Sequence, residues 1–105
     1  AARHPEFASS VQALIGKPMN AELLLSYVND ALIFQERAKR PLYCGEFGVY
    51  PTIDNEIRLR YYQDLTDIFR ANNIAYCHWC YKGDFPILDE KGEPDSKLVA
   101  ILTAM

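Results

Sequence analysis

The sequence lacks the features that mark three large classes of protein. No apolar run approaches the roughly 20 residues that are needed to cross a membrane. Acidic residues outnumber basic ones by 14 to 11, and the net charge of −3 provides no basic footprint for nucleic acid. No low-complexity segment and no repeat of fixed period is present. We therefore expect no membrane partner, no nucleic-acid partner and no repeat architecture.

Cysteine is scarce and odd in number, since the chain has only Cys44, Cys77 and Cys80. This count argues against a secreted disulfide framework. Cys77 and Cys80 form a C-x-x-C pair, which occurs in redox and zinc sites. Positions three apart on a strand point to opposite faces, however, and no second Cys/His pair accompanies them. We expect no metal and no cofactor.

The opening residues, AARHPEF, have neither an initiator Met nor the hydrophobic core of a signal peptide. They are interpreted as a processed end, an expression remnant or the cut end of a longer chain. Residues 1–19 are accordingly expected to be an end or loop segment. A secreted and a cytoplasmic location both stay open.

Three helices and two strands are predicted from the hydrophobic pattern. The strands are PLYCGEF (41–47) and IAYCHWCY (74–81), and the second carries no charge. The residues expected to delimit the helices are Asn20 and Pro41 for the first, Asp54 or Asn55 and Asn72–Asn73 for the second, and Asp95 or Ser96 for the start of the third. The predicted core-facing stripes are Leu24, Tyr27, Val28, Ala31, Leu32 and Gln35 on the first helix, and Ile57, Tyr61, Leu65 and Ile68 on the second.

The order of helix, strand, helix, strand, helix predicts an α/β protein with parallel strands and right-handed crossovers. Two parallel strands cannot close a barrel, and a (β/α)8 barrel takes about 250 residues. The 105 residues therefore correspond to about a quarter of a barrel. A small independent α/β domain of unusual topology is the alternative.

Three segments together resemble glycoside hydrolase family 5, the cellulase family of (β/α)8 barrels. They are PLYCGEFGVY (41–50), DNEIRLRYYQDLTDIF (54–69) and NIAYCHWCYKGDFPILDEKGEPD (73–95). The most specific parts are GEFG at the end of one strand and W-x-Y-K at the end of the next. The family more often has Asn in place of Cys80 and Gly in place of Pro86.

The resemblance implies a fold and a domain assignment. Residues 20–105 are expected to be the C-terminal fragment of a single TIM barrel, with the seventh and eighth strands, their helices and one preceding helix. Alternation along the strands predicts which side chains share a face. The inward face is expected to hold Leu42, Cys44 and Glu46 on one strand and Ala75, Cys77 and Trp79 on the other, with Tyr43, Gly45, Phe47 and His78 outward under helices.

The resemblance also implies the roles of individual residues. Glu46 matches the catalytic nucleophile at the end of the seventh strand, and Trp79 matches the tryptophan that floors the sugar site. By their positions in the following loops, Lys82 and Tyr50 are expected to contact the substrate, and a solvated loop charge is the alternative for Lys82. The acid/base glutamate of the family lies in an Asn-Glu-Pro tripeptide, which this sequence does not contain.

The expected function is retaining hydrolysis of a β-linked glucan, as in an endoglucanase or cellulase. The chain would supply the nucleophile half of the active site and would be inactive in isolation. Expected partners are a polysaccharide or oligosaccharide substrate and either the remainder of the barrel or further copies of the chain. A β-mannanase or exo-β-1,3-glucanase of the same family, or a non-catalytic carbohydrate-binding module, is the alternative.

Overall fold

The computed structural model describes residues 20–104, so the predicted end or loop segment 1–19 lies outside the described residues. The elements are α1 (Ala21–Ala38), β1 (Tyr43–Cys44), α2 (Asn55–Ala71), β2 (Ala75–Tyr76) and α3 (Ser96–Thr103). Their order and the α/β class are those predicted. Within residues 20–104, no helix combines the length and hydropathy that a membrane span requires.

Each helix begins at a predicted cap. Asn20 Oδ1 accepts a hydrogen bond from Leu23 N at 2.9 Å. Asp54 accepts from two backbone amides at the start of α2, and Asp95 does the same at the start of α3. These bonds satisfy amides that have no partner within the helix. The three helix starts are therefore fixed by short-range contacts.

The helix ends are also local. Helix α1 ends at Ala38, because Lys39 adopts left-handed geometry with φ 53° two residues before Pro41. Helix α2 ends at Ala71 with Asn72 as its C-cap, and Asn73 follows with φ 56°. Asparagine tolerates left-handed geometry better than most residues, and Asn72–Asn73 were the predicted end of this helix.

The two strands are parallel, as predicted, but each contains only two residues. Single backbone hydrogen bonds extend the pairing on both sides of this ladder. Ala75 N donates to Leu42 O at 3.3 Å, and Trp79 N donates to Phe47 O at 2.9 Å. The strand ends are therefore joined beyond the regular ladder.

The register corrects the predicted strand faces. Tyr43 lies beside Ala75, and Cys44 lies beside Tyr76. Directly opposed residues of neighbouring strands project to the same side. The prediction that Leu42 and Cys44 share the face of Ala75, with Tyr43 packed outward under helices, is therefore wrong.

The physical reason is a break in the alternation before Phe47. Cys44 packs against the core, and Phe47, three residues later, lies inside it. Two residues, Gly45 and Glu46, are exposed between them, whereas strict alternation would allow one. Tyr43 is 66% exposed on the opposite side. Phe47 itself lies under the helices, as predicted.

The core lies on the helix-covered side of the strand pair. Its buried members are Phe47, Tyr62, Leu65, Phe69, Ile74 and Leu98. Helix α2 packs against α1, α3 and β2 and so occupies the centre. Leu24 of α1 is buried as predicted. Tyr27 is 57% exposed, Ile57 of α2 is 60% exposed and Ala31 of α1 is also exposed, so these three predictions are wrong. Leu65 and Ile68 of α2 are buried as predicted, and Tyr62 and Phe69 are buried beside them.

Candidate active site

Glu46 lies two residues beyond the end of β1, and its side chain is exposed. No side chain of residues 20–104 donates a hydrogen bond or forms an ion pair with its carboxylate. The residue after it, Phe47, is only 8% exposed. The carboxylate is therefore presented to solvent by a backbone that is anchored in the core directly beside it.

Aromatic packing anchors Phe47. Its ring meets Phe69 edge-on at 5.3 Å between centroids, and it meets Tyr76 edge-on at 5.6 Å. Tyr62 makes a further edge contact at 6.0 Å. Aromatic rings favour this arrangement because the positive edge of one faces the negative face of another. Because the Phe47 ring is held in place, the peptide bond that joins Glu46 to Phe47 is held as well.

Trp79 lies at the end of the second strand segment, and its side chain is 48% exposed. Its backbone amide donates to Phe47 O at 2.9 Å, which joins the ends of the two strand segments. The peptide bond that follows, Trp79–Cys80, is cis. Glu46 and Trp79 are thus carried by adjacent, hydrogen-bonded pieces of backbone.

Gly48 makes that approach sterically possible. A Cβ atom at this position would collide with Trp79 O and would come within 2.7 Å of Phe85 Cβ. Real Cβ contacts are essentially never this short, so any side chain at position 48 would push the two loops apart. Glycine is required at position 48 because there is no room for a side chain.

Tyr50 and Lys82 differ in their surroundings. The Tyr50 ring is 58% exposed and packs edge-on against Phe85 at 4.8 Å. Lys82 is exposed and lines a surface cavity of about 710 Å³ with Thr52, Asn55 and other loop residues. Neither Glu46 nor Trp79 lines that cavity. The structure therefore carries Glu46 and Trp79 on backbone segments that are hydrogen-bonded to each other, and the cavity that Lys82 lines involves neither of them.

A buried polar pair, Tyr62 and His78, lies beneath the two strand ends and was not identified as part of the site from the sequence. The Tyr62 side chain is fully buried, and its hydroxyl accepts a hydrogen bond from Val49 N at 3.0 Å. The same hydroxyl lies 2.9 Å from His78 Nε2. His78 therefore lies under helix α2, as predicted for that residue.

Burial sets the protonation of this pair. It lowers the pKa of His78, and the positive charge of Arg58 lowers it further. Burial also raises the pKa of Tyr62, against the opposing effect of the Val49 amide and of Arg58. Both groups are therefore held in their neutral forms around neutral pH.

Arg58 connects α2 to the loop that follows Trp79. Its side chain is 6% exposed; Nη2 donates to Pro86 O at 2.9 Å, and Nη1 lies 3.3 Å from Asp95 Oδ2. Asp95 also caps α3. Arg58 therefore joins the start of α2 to the start of α3 by an ion pair and to the loop by a hydrogen bond.

The cysteines contact different groups. Cys77 Sγ lies 3.8 Å from His78 O, whereas Cys80 Sγ lies 3.4 Å from Lys82 O. Cys77 is exposed and Cys80 is half-buried. Among residues 20–104, no group of three or more His, Cys, Asp or Glu side chains is placed to hold a metal ion.

Known proteins similar to this chain include bacterial endoglucanases. Endoglucanase C of Acetivibrio thermocellus is 40% identical over 86 residues, which are 80% of this chain and 25% of that enzyme. Endoglucanase C307 of a Clostridium species matches with the same values. The chain thus spans about a quarter of the length of these curated relatives. No protein-family model matches it.

Similar solved structures extend the comparison to the fold. Thermotoga maritima Cel5A in complex with mannotriose gives a TM-score of 0.72 at 24% identity, over 83% of this chain and 29% of that one. The cellulose synthase subunit Z of Clostridioides difficile gives 0.73 at 16% identity, over 86% of this chain and 30% of that one. The chain is therefore homologous to a segment of the bacterial endoglucanases, and its recognition as a relative of the glycoside hydrolase family 5 cellulases is confirmed.

Proposed function

We propose that this chain supplies the nucleophile half of the active site of a retaining endo-β-1,4-glucanase, with Glu46 as the nucleophile. The observation that carries the proposal is the exposed Glu46 carboxylate at a strand end whose backbone is fixed by buried Phe47. A nucleophile must be held rigidly and aimed at the anomeric carbon, so a strand end suits it better than a long loop. The endoglucanase relatives support the reaction class.

The proposed chemistry needs two carboxyl groups. Ionised Glu46 attacks the anomeric carbon and forms a covalent glycosyl–enzyme while the glycosidic C–O bond breaks. A carboxylic acid about 5 to 5.5 Å away protonates the departing oxygen, and its conjugate base then activates the water that hydrolyses the intermediate. Because the sequence contains no Asn-Glu-Pro, we assign this second carboxyl to a segment joined to this one.

The proposed assembly is a (β/α)8 barrel to which residues 20–105 contribute the last two strand–helix units. The strand face with Tyr43 and Trp79 would then turn toward the barrel interior, where the other strands would cover it. The exposure of these two residues, 66% and 48%, supports this orientation. The carboxyl ends of the strands would form the active-site rim, as in other barrels of this kind.

Trp79 is the proposed sugar platform. Its exposed indole offers a flat apolar surface for a pyranose ring and an N–H group for a hydroxyl. Tyr50, exposed on the neighbouring loop, would contact the same substrate. We place Lys82 at the edge of the substrate cleft, because it lines a surface cavity to which neither Trp79 nor Tyr50 contributes.

Two observations bear on the glycan. The curated relatives are endoglucanases, and Cel5A has been solved with cellobiose and with mannotriose. A β-mannanase is therefore the second candidate, ahead of an exo-β-1,3-glucanase. A carbohydrate-binding module would bind the same sugars through Trp79 but would form no covalent intermediate.

Trapping of that intermediate tests the proposal. The complete enzyme, meaning this segment joined to the strands that carry the acid/base carboxyl, would be treated with an activated 2-deoxy-2-fluoro-β-cellobioside. The fluorine slows hydrolysis of the glycosyl–enzyme, so we expect one added glycosyl group by mass spectrometry and a peptide map that places it on Glu46. Strands from Endoglucanase C can complete the segment. Labelling of another carboxylate, or none, would refute the assignment.

A further inference from the structure

We propose that Tyr62 is a positioning residue for this active site: its buried hydroxyl joins the loop after the nucleophile to the strand end that carries Trp79. This inference rests on the proposed function. It assigns to a residue of helix α2, which does not contact substrate, the task of fixing the distance between Glu46 and the sugar platform.

The hydroxyl makes one contact on each side. Val49 N, three residues after Glu46, donates to Tyr62 Oη at 3.0 Å. On the other side, the same oxygen lies 2.9 Å from Nε2 of His78, the residue immediately before Trp79. One atom of α2 is therefore hydrogen-bonded to the segments that carry both proposed substrate-binding groups.

Proton counting gives the direction of the second bond. The Tyr62 oxygen has one proton and two lone pairs, and the Val49 amide uses one lone pair. If Nε2 of His78 carried the ring proton, the buried tyrosine proton would have no acceptor and Nδ1 would have no donor. If Tyr62 donates to Nε2, only Nδ1 of His78 is left without a partner, and Nδ1 is indeed buried without one among residues 20–104. The donating arrangement therefore leaves fewer buried groups unpaired.

The surroundings hold the tyrosine rigidly. Its side chain is fully buried, and its ring packs edge-on against His78 at 5.3 Å and against Phe47 at 6.0 Å. Arg58 lies over the ring at 5.5 Å. A hydroxyl on such a ring cannot shift without disturbing the core, so it serves as a fixed reference for both loops.

The backbone has one further direct tie at this place, from Trp79 N to Phe47 O. That bond fixes the strand ends but makes no contact with the chain after Gly48, which is otherwise held by side-chain packing such as Tyr50 against Phe85. The Tyr62–Val49 bond adds a directional hydrogen bond to this packing, on the far side of Glu46 and Phe47. Glu46 is thus bracketed by the regular ladder on one side and by Tyr62 on the other.

The test is Tyr62→Phe in the complete enzyme, with Tyr61→Phe as the matched control. Tyr61 is the adjacent residue, half-buried, and its hydroxyl makes no hydrogen bond with residues 20–104. We expect Tyr62→Phe to lower kcat and the rate of fluoroglycoside trapping about tenfold, because misplacement of reacting groups slows the chemical step, while KM changes less than twofold. Tyr61→Phe should leave both within twofold of the parent.

Two further measurements separate positioning from loss of folding. Amide hydrogen exchange at Val49 should accelerate at least tenfold in Tyr62→Phe under conditions where the rest of the core stays protected. If that variant does not fold, His78→Gln and His78→Phe replace it, since glutamine can still accept from Tyr62 and phenylalanine cannot. Glutamine should lose clearly less kcat than phenylalanine.

The failures are distinguishable. Unchanged kcat in folded Tyr62→Phe, or equal losses in the two His78 variants, would overturn the positioning role while Glu46 is still labelled. If the label falls on another carboxylate of the parent enzyme, the proposed function fails. Unaltered Val49 exchange in Tyr62→Phe would overturn the hydrogen-bond link whichever residue is labelled.

Discussion

Glu46 and Phe47 are neighbours in the sequence, yet one side chain is exposed and the other is buried at the centre of an aromatic cluster. The apolar residues that flank Glu46 in the sequence therefore reflect the burial of Phe47, not burial of the Glu46 side chain. The carboxylate itself makes no hydrogen bond to side chains of residues 20–104. Such an arrangement gives an acid that is both accessible and rigidly placed.

Glu46→Gln in the complete enzyme should lower kcat by several orders of magnitude, because glutamine keeps the shape and removes the nucleophile. Binding of cello-oligosaccharides, measured by calorimetry, should change little. Glu56→Gln is the matched control, since Glu56 is an exposed glutamate in the first turn of α2. Near-parental turnover in Glu46→Gln would contradict the assigned role.

Trp79→Ala should raise the KM for short cello-oligosaccharides by about tenfold, which corresponds to roughly 1.4 kcal/mol of binding. The half-exposed indole leaves only a partial cavity, so the loss of stability should be smaller than for a fully buried tryptophan. Steady-state kinetics on cellotriose and cellotetraose measure the first effect. Tyr27→Ala, which removes an exposed aromatic from α1, controls for loss of surface area, and equal kinetics in the two variants would show that Trp79 is no platform.

His78 predicts how stability depends on pH. Burial and Arg58 lower its pKa in the folded chain, whereas the unfolded chain titrates near the ordinary value of about 6.5. Below that value His78 binds a proton more readily in the unfolded state than in the folded state. The free energy of unfolding should therefore be highest above about pH 6.5 and should decrease as the pH falls below it.

The groups facing His78 include Tyr62 and Arg58 of α2, and Arg58 is itself paired with Asp95. Urea unfolding of the complete enzyme between pH 7.5 and 5.5 should show the decrease in the parent. The decrease in the free energy of unfolding should be smaller in His78→Gln, which has no titratable group at this position. An identical slope in both proteins would mean that another group is responsible.

At the scale of single residues, the family resemblance of two short motifs predicted roles for Glu46 and Trp79, and these roles stay predictions. Tyr62 could not be identified in the same way. It adjoins Tyr61, and helical spacing alone does not decide which of two consecutive tyrosines faces the core. Only the packing of α2 against β2 and α3 makes that choice.

Among the elements, the helices were predictable to within a residue or two, because Asn20, Asp54 and Asp95 each cap a helix by a bond to nearby amides. The strands were harder, since their ladder of two residues each depends on contacts about thirty positions apart. The predicted faces failed for the same reason. Alternation predicts which residues of one strand share a side, but register and the irregularity before Phe47 decide which side is inward.

Asp95 tests the connection between elements, because it caps α3 and pairs with buried Arg58. Asp95→Ala should lower the free energy of unfolding by about 2 to 3 kcal/mol, through loss of the cap and of the partner of a buried cation. Asp95→Asn keeps a capping oxygen and should lose about half as much. Urea unfolding of the complete enzyme measures both, with the exposed Glu90→Ala as control, and equal effects of alanine and asparagine would contradict this division.

For the molecule as a whole, the decisive feature is that the core lies on one side of the strand pair. The other side presents Tyr43 and Trp79, and both strands have open edges within residues 20–104. Exposed edges and apolar faces of this kind favour association with another chain. The barrel proposal and the expected self-association thus share one cause.

The 105-residue polypeptide should therefore not behave as a solitary monomer of 12.0 kDa. Light scattering should report a larger mass, and assays on cellulose derivatives should detect no hydrolysis, because a lone carboxylate cannot attack and also protonate the leaving group. Adding the missing strands in trans should reduce the mass heterogeneity. A clean monomer with a sharp unfolding transition would favour the small independent α/β domain instead.

Gly48 limits how the sequence of this segment can vary. Because a single methyl group there would collide with Trp79 O and crowd Phe85, the loops after the two strands cannot be altered independently. A library that randomises positions 48 to 50 to change glycan preference should yield mostly misfolded clones unless glycine is kept or the 79–85 loop is diversified with it. Descendants that have lost the glycine should carry a compensating change in the second loop, so the two loops should be inherited together.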